Sequence, residues 1–162
     1  MLSGWIDLSS HRIRCCFLLQ IRWENRFIGN TGERCLVTID GVDFLILEPR
    51  PLNPIWFSEK FKSAALRYEL GVCIFTGHIV SYTGPFNAGS WNDLKIFRYK
   101  MKRMLSYGEK VVADKGYRGE SKVITQLSAK DDSHYDLMNR ARARHETVNA
   151  RLKQWKCLAE QF

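Results

Sequence analysis

Three acidic residues stand where phosphodiester chemistry would need them. Asp40 follows the apolar run Leu36-Val37-Thr38-Ile39, Asp114 follows Val111-Val112-Ala113, and Glu146 lies inside the basic stretch from Arg140 to Lys156. A carboxylate at a strand end is rigidly placed, and Mg²⁺ takes only one or two carboxylates per ion, leaving room for water and phosphate. Two such ions roughly 4 Å apart activate a nucleophile, polarise phosphorus and stabilise the leaving oxygen. The expectation is a site for two Mg²⁺ or Mn²⁺ ions in which Asp40 bridges and Asp114 and Glu146 complete one ion each. Taken singly, each acid has an ordinary explanation. A strand-end Asp forms turns, and a Glu among arginines makes an exposed ion pair worth less than about 1 kcal/mol. Helix capping accounts for Asp93, and His145 reads as a packing or DNA-contacting residue.

The elements that must position these acids follow from periodicity. Cys35 to Ile39 reads as a strand broken by Gly41, with Phe44 to Leu47 as its continuation or partner. Glu48 to Pro54, with its three prolines, is a loop. Leu66, Tyr68, Leu70, Val72 and Ile74 alternate as a strand, Thr76-Gly77-His78 turns it, and Ile79 to Thr83 returns as its antiparallel neighbour. Gly84 to Gly89 is a loop before a helix capped by Ser90, whose core face is Leu94, Phe97, Met101, Met104 and Leu105. Lys110 to Ala113 and Val123 to Leu127 are short strands. The closing helix is expected from Ser133 or Leu137 to Leu158, with Val148, Leu152, Trp155 and Ala159 as its apolar stripe. Arg142, Glu146, Asn149 and Lys153 share the adjoining face, which puts Glu146 at the rim between core and solvent.

Composition bounds the function. At 162 residues, with 45% hydrophobic and 12% aromatic content, the chain sustains one domain with a core. Residues 1–30 read as an N-terminal remnant with helical character around Ile21 to Phe27, and residues 31–162 as the domain. A net charge of +8 points to a polyanion, because each phosphate neutralised by Lys or Arg releases counterions, although a merely soluble basic surface would carry the same charge. Cys15, Cys16, Cys35, Cys73 and Cys157 contain no C-x-x-C pair, which argues against a zinc knuckle or disulfide framework and fits a reducing compartment. The apolar run Cys15 to Leu19 is far short of the roughly 18 residues that span a membrane, and no cleavable signal pattern follows it. Neither membrane insertion nor secretion is expected.

The ordered set Val37-Thr38-Ile39-Asp40-Gly41, Phe57-Ser58-Glu59-Lys60-Phe61-Lys62, Tyr68-Glu69-Leu70-Gly71-Val72, Gly84-Pro85-Phe86-Asn87-Ala88-Gly89-Ser90-Trp91-Asn92-Asp93, Ala113-Asp114-Lys115-Gly116-Tyr117-Arg118-Gly119 and Arg142 to Asn149 resembles the catalytic domain of DDE transposases of the Harbinger and insertion-sequence type. The likeness runs over roughly residues 20 to 160. It implies an α/β, RNase H-like fold, a central mixed sheet with its first three strands antiparallel and helices on both sides. It also implies Asp40 as the first catalytic Asp, Asp114 as the second beside the fourth strand, and Glu146 as the helix-borne acid. Arg142, Glu146 and Lys153 fit the family's R-x-x-x-E-x-x-x-x-x-x-K signature. The chain departs from the family at Val42, where Thr is usual, and at Glu59 and Asn139, where Tyr is usual; none of these is a metal ligand.

The resulting expectation is a Mg²⁺- or Mn²⁺-dependent DNA endonuclease and strand-transferase core. Asp40, Asp114 and Glu146 would hold the ions, and Arg142, Asn149 and Lys153 would bind DNA. No upstream helix-turn-helix pattern precedes this core, so a separate protein or domain is expected to recognise DNA ends. A homo-oligomer is compatible with this reading, and the resemblance to eukaryotic elements implies a nuclear location, or a cytoplasmic one in a bacterium. The alternatives are a domesticated or truncated relative that binds DNA or protein without cutting, and a stand-alone nuclease on the same site.

Overall fold

The computed structural model describes residues 21–29, 35–125 and 132–159. Its centre is a six-stranded mixed sheet. The strands are β1 (Cys35–Leu45), β2 (Phe57–Ser58), β3 (Ser63–Cys73), β4 (Ile79–Asn87), β5 (Lys110–Val112) and β6 (Val123–Ile124). β3 pairs antiparallel with β1 on one side and with β4 and the short β2 on the other. β5 and then β6 extend the sheet in parallel beyond β1.

β1 does not break at Gly41. It runs on to Leu45, with Gly41 facing Glu69 and Asp43 facing Arg67 across the pair. A glycine costs strand stability only through entropy and missing packing, and nine residues paired with β3 outweigh that. β4 likewise continues beyond the predicted end at Thr83 to Asn87. It passes through Pro85 and takes up the extra residues in register shifts opposite Arg67/Glu69 and Gly71/Val72. β6 covers only the start of the predicted strand, whose residues Gln126 and Leu127 lie outside those described.

Strand alternation sends side chains to two covered faces. On one, Val37, Ile39, Cys73 and Val111 meet Phe97, Met101 and Leu105, carried by α1 (Asp93–Tyr99), α2 (Met101–Met104) and the turn after them. On the other, Ile74 and Val112 meet Met138 and Ala141 of α3 (Asp132–Leu152), while Leu70 and Val72 meet its Val148. α1 and α2 were predicted as one helix; the backbone at Lys100 leaves the helical region and divides them. The cap is Asn92 rather than Ser90, its Oδ1 accepting the Lys95 N–H at 2.8 Å, so Asp93 is the first helical residue. The closing helix stops at Leu152, a turn follows, and α4 (Lys156–Ala159) is separate. Its buried stripe is therefore Met138, Ala141, His145 and Val148, and Trp155, expected in that stripe, is exposed.

Upstream, the single-turn 3-10 helix Trp23–Phe27 packs against the sheet. Trp23 Nε1 donates to the Met104 carbonyl, and the buried Arg26 forks onto Glu109 at 2.8 and 3.3 Å, whose Oε2 also accepts the Ser106 N–H. Removing one partner leaves a buried charge without its counter-ion, so Arg26→Ala is expected to lower stability by about 3–5 kcal/mol, measured by urea denaturation.

Candidate active site

The parallel pairing of Thr38 with Val112 brings Asp40, in the middle of β1, alongside Asp114, just past the end of β5, each two residues further on. Asp40 Oδ1 accepts its neighbour Gly41 N–H at 2.9 Å, and Asp114 Oδ1 accepts the Gly116 N–H at 2.7 Å, capping the 3-10 turn Lys115–Tyr117. α3 crosses these ends because its apolar stripe is buried on the sheet, and the adjoining face brings Arg142, Glu146 and Asn149 alongside. Asn149 Nδ2 donates to Asp40 Oδ2 at 3.5 Å. Asp40, Asp114 and Glu146 thus line one cleft of about 370 Å³, together with Arg142, Asn149 and Lys115. Lys153 is not among the cleft residues. It lies past the end of α3, with its Nζ 5.9 Å from the Phe61 ring.

The donor set is all oxygen and comes from three elements, which suits a hard cation. Among the described residues, however, no group of three or more His, Cys, Asp or Glu side chains is placed so as to hold a metal ion. The cleft lining carries carboxylates from β1, the end of β5 and α3, oxygen donors of the type a hard cation takes.

His145, read as a packing or contact residue, is buried in the helix stripe beside Asp40. Burial holds its pKa below the ordinary value, against the opposing pull of the Thr38 backbone and the Asp40 charge, and neither ring nitrogen makes a well-formed hydrogen bond. Burial raises Asp40, His145 opposes that rise and Asp114 adds to it.

Several residues next to the cleft went unassigned in the sequence reading. Arg67 forks onto Asp43 at 2.7 and 2.8 Å and donates to the Trp91 carbonyl at 3.0 Å, with Asp93 at 3.9 Å. Burial acts upward on Asp43, but the hydrogen bonds from Arg67 and Ser58 outweigh it and hold the carboxyl below its usual range. Asp93, assigned wholly to capping, sits close to Asp40 and Asp114. Burial raises it, Arg67 opposes this, and Asp40 and Asp114 add to the rise. Tyr117 is fully buried with its hydroxyl toward Glu69, and burial together with the charges of Glu69, Asp93, Asp40 and Asp114 raises it well above the usual phenol value. Lys60 lies close enough for its charge to favour ionised Asp40 and Asp43. The β3 alternation could have found Glu69, since it shares the inward parity of Gly71 and Cys73.

A family model described as DDE superfamily endonuclease matches residues 39–162, well over half of the chain. No curated protein and no solved structure matches it.

Glu69 is 1% exposed, and burial raises its carboxyl from 4.5 to about 8, with the Tyr117 hydroxyl acting downward and Asp93 upward. The folded state therefore holds a proton that the unfolded chain releases near pH 4.5. Stability from this group is full below that pH, declines as pH rises and is exhausted near 8. Glu69→Gln is expected to flatten this decline and to gain roughly 2–5 kcal/mol over the parent at pH 8, read from urea denaturation between pH 5 and 8.

Proposed function

The chain belongs to the DDE superfamily endonucleases, and from that premise we propose that it is the catalytic core of a transposase-derived enzyme that cuts DNA and transfers the cut strand. One observation carries this reading: Asp40, Asp114 and Glu146, drawn from the middle of β1, the end of β5 and α3, line a single cleft. The sheet, with its three long strands antiparallel and β5 and β6 parallel to β1, is what an RNase H-like arrangement requires, and we read it as that fold.

Asp40, Asp114 and Glu146 would hold two Mg²⁺ or Mn²⁺ ions. Bound there, the ions would supply an activated nucleophile and charge neutralisation at the scissile phosphate. The chain's own part is positional. Asn149 restrains Asp40 through its hydrogen bond, and the Asp40 and Asp114 carboxylates are each steadied by a backbone N–H. Arg142 and Lys115 on the cleft wall would seat the DNA backbone, with Lys153 contributing from the turn beyond α3. The net charge of +8 suits that substrate.

That no group of acids among the described residues is placed to hold a metal ion favours one second reading, a relative that binds DNA without cutting. Plasmid nicking separates the two. The 162-residue chain is expected to nick supercoiled DNA with Mg²⁺ or Mn²⁺ and to stop on chelation, and Asp40→Asn is expected to fall to the no-protein background with its circular dichroism unchanged. Salt-sensitive binding without nicking would establish the binder. Under either reading Arg142→Ala should lower the slope of log K against log salt by about one, measured by fluorescence anisotropy from about 50 to 200 mM salt.

A further inference from the structure

We propose that the turn joining β2 to β3, Glu59 to Lys62, is a DNA-binding arm beside the cleft, and that Lys60 at its tip takes a backbone phosphate of duplex DNA. This rests on the DNA reading above, in either its cutting or its binding form, and adds a contact from an element outside the cleft lining.

The turn is built to hold one shape. Phe57 pairs with Ala64 and Ser58 with Ser63, and the Lys62 N–H closes the loop on the Ser58 carbonyl at 2.8 Å. Among the described residues Lys62 alone, glycines aside, has a positive φ, 54°. A side chain in that left-handed conformation costs free energy and persists where the surroundings impose it; such positions cluster at binding sites. The base of the turn is fastened to β1, because the Ser58 hydroxyl donates to Asp43 at 2.6 Å and Arg67 forks onto the same carboxylate.

From that base the tip reaches two of the elements that form the cleft. Toward β1, the exposed Lys60 lies within electrostatic reach of Asp40 and Asp43. Toward α3, the half-buried Phe61 has the Lys153 Nζ 5.9 Å from its ring and the Lys60 Nζ at the same distance. The Lys153 N–H still donates to the Asn149 carbonyl at 3.1 Å, and the Asn149 side chain donates to Asp40. One aromatic ring therefore gathers two ammonium groups next to the candidate acids.

The carboxylates close by are already engaged. Glu59 holds Lys62 at 2.7 Å, Asp43 takes Arg67 and Ser58, and Asp40 accepts from Gly41 and Asn149. Among the described residues neither Lys60 nor Lys153 is in an ion pair. Two like charges drawn together without an acid of their own repel each other, and a phosphate beside them relieves that repulsion. They add to Arg142 and Lys115 of the cleft lining, so a strand leaving the acids past the end of α3 meets cations on the turn as well.

The test is binding of a short fluorescein-labelled duplex to the 162-residue chain, in chelator so that no cutting intervenes, by anisotropy from about 50 to 200 mM salt. Lys60→Ala should lower the slope of log K against log salt by about one, so that the parent's advantage shrinks roughly three- to fourfold across that range. Lys60→Arg should restore the slope. Phe61→Ala keeps every charge and should weaken binding about threefold or more, because the ring no longer supports either ammonium. Lys110→Ala removes the same charge at the opposite end of β5 from Asp114 and should keep the parent's slope. Circular dichroism checks folding, and Lys60→Gln repeats the measurement should Lys60→Ala not fold. A parent-like slope in the Lys60 variant, or an equal fall in Lys110→Ala, would make Lys60 merely one part of the net charge; the arm then fails and the functional reading stands. A parent that neither binds the duplex nor nicks plasmid sinks both.

Discussion

The register of one parallel strand pair governs this molecule. With Val37 opposite Val111 and Thr38 opposite Val112, the next side chains toward α3 are Asp40 and Asp114, on strands that run about 4.8 Å apart. The irregularity in the pair falls at the other end, between Cys35 and Val37, so the carboxylate end keeps its alignment. A slip of one residue would send one of the two acids to the α1 face, among Phe97 and Met101, and separate the pair. The two-sided core opposes such a slip, because it would move Val37 and Ile39 out of their contacts with the α1 layer and put Thr38 and Asp40 in their place.

Bringing carboxylates together raises an electrostatic difficulty that the fold manages with unequal means. Asp43 is neutralised locally by the Arg67 fork and the Ser58 hydroxyl, which donates at 2.6 Å. The same guanidinium, through the Trp91 carbonyl, ties the start of α1 to β3, so charge balance and helix placement depend on one side chain. Glu69 is handled oppositely, by keeping its proton in a dry setting. Asp40 is left with His145, a buried imidazole occupying a stripe position where an aliphatic residue would pack better.

Local pattern was enough to find the strands and the helix face, though not where β1 and β4 end, because two-residue and 3.6-residue periods survive into the structure wherever a side chain meets the sheet. That is why Asp40, Asp114, Glu146, Arg142 and Asn149 could be named before any coordinates and then found on one cleft. Gly41 misled, since a glycine in a strand looks like punctuation until the residue that crowds it, fifty positions later, is placed. Asp93 was hidden by its surroundings: Ser90 offered a plausible cap, and only the backbone geometry gives that duty to Asn92. Lys153 lies outside the cleft lining for a related reason. The heptad-like spacing persists beyond Leu152, yet the chain turns there without a Gly or Pro to announce it. Glu69, Tyr117 and Arg67 meet only through pairing between distant segments, which no local window contains.

The outer strand of the sheet, β4, shows what those register shifts accomplish. Its far side pairs with no other strand among the described residues, and a long straight edge there would invite another chain to add itself as a further strand. Pro85 withholds a donor midway, and the two irregularities bend the strand on either side of Thr83 to Ser81. The uninterrupted stretch left for templating is only a few residues long, so the fold carries its own guard against edge-to-edge aggregation.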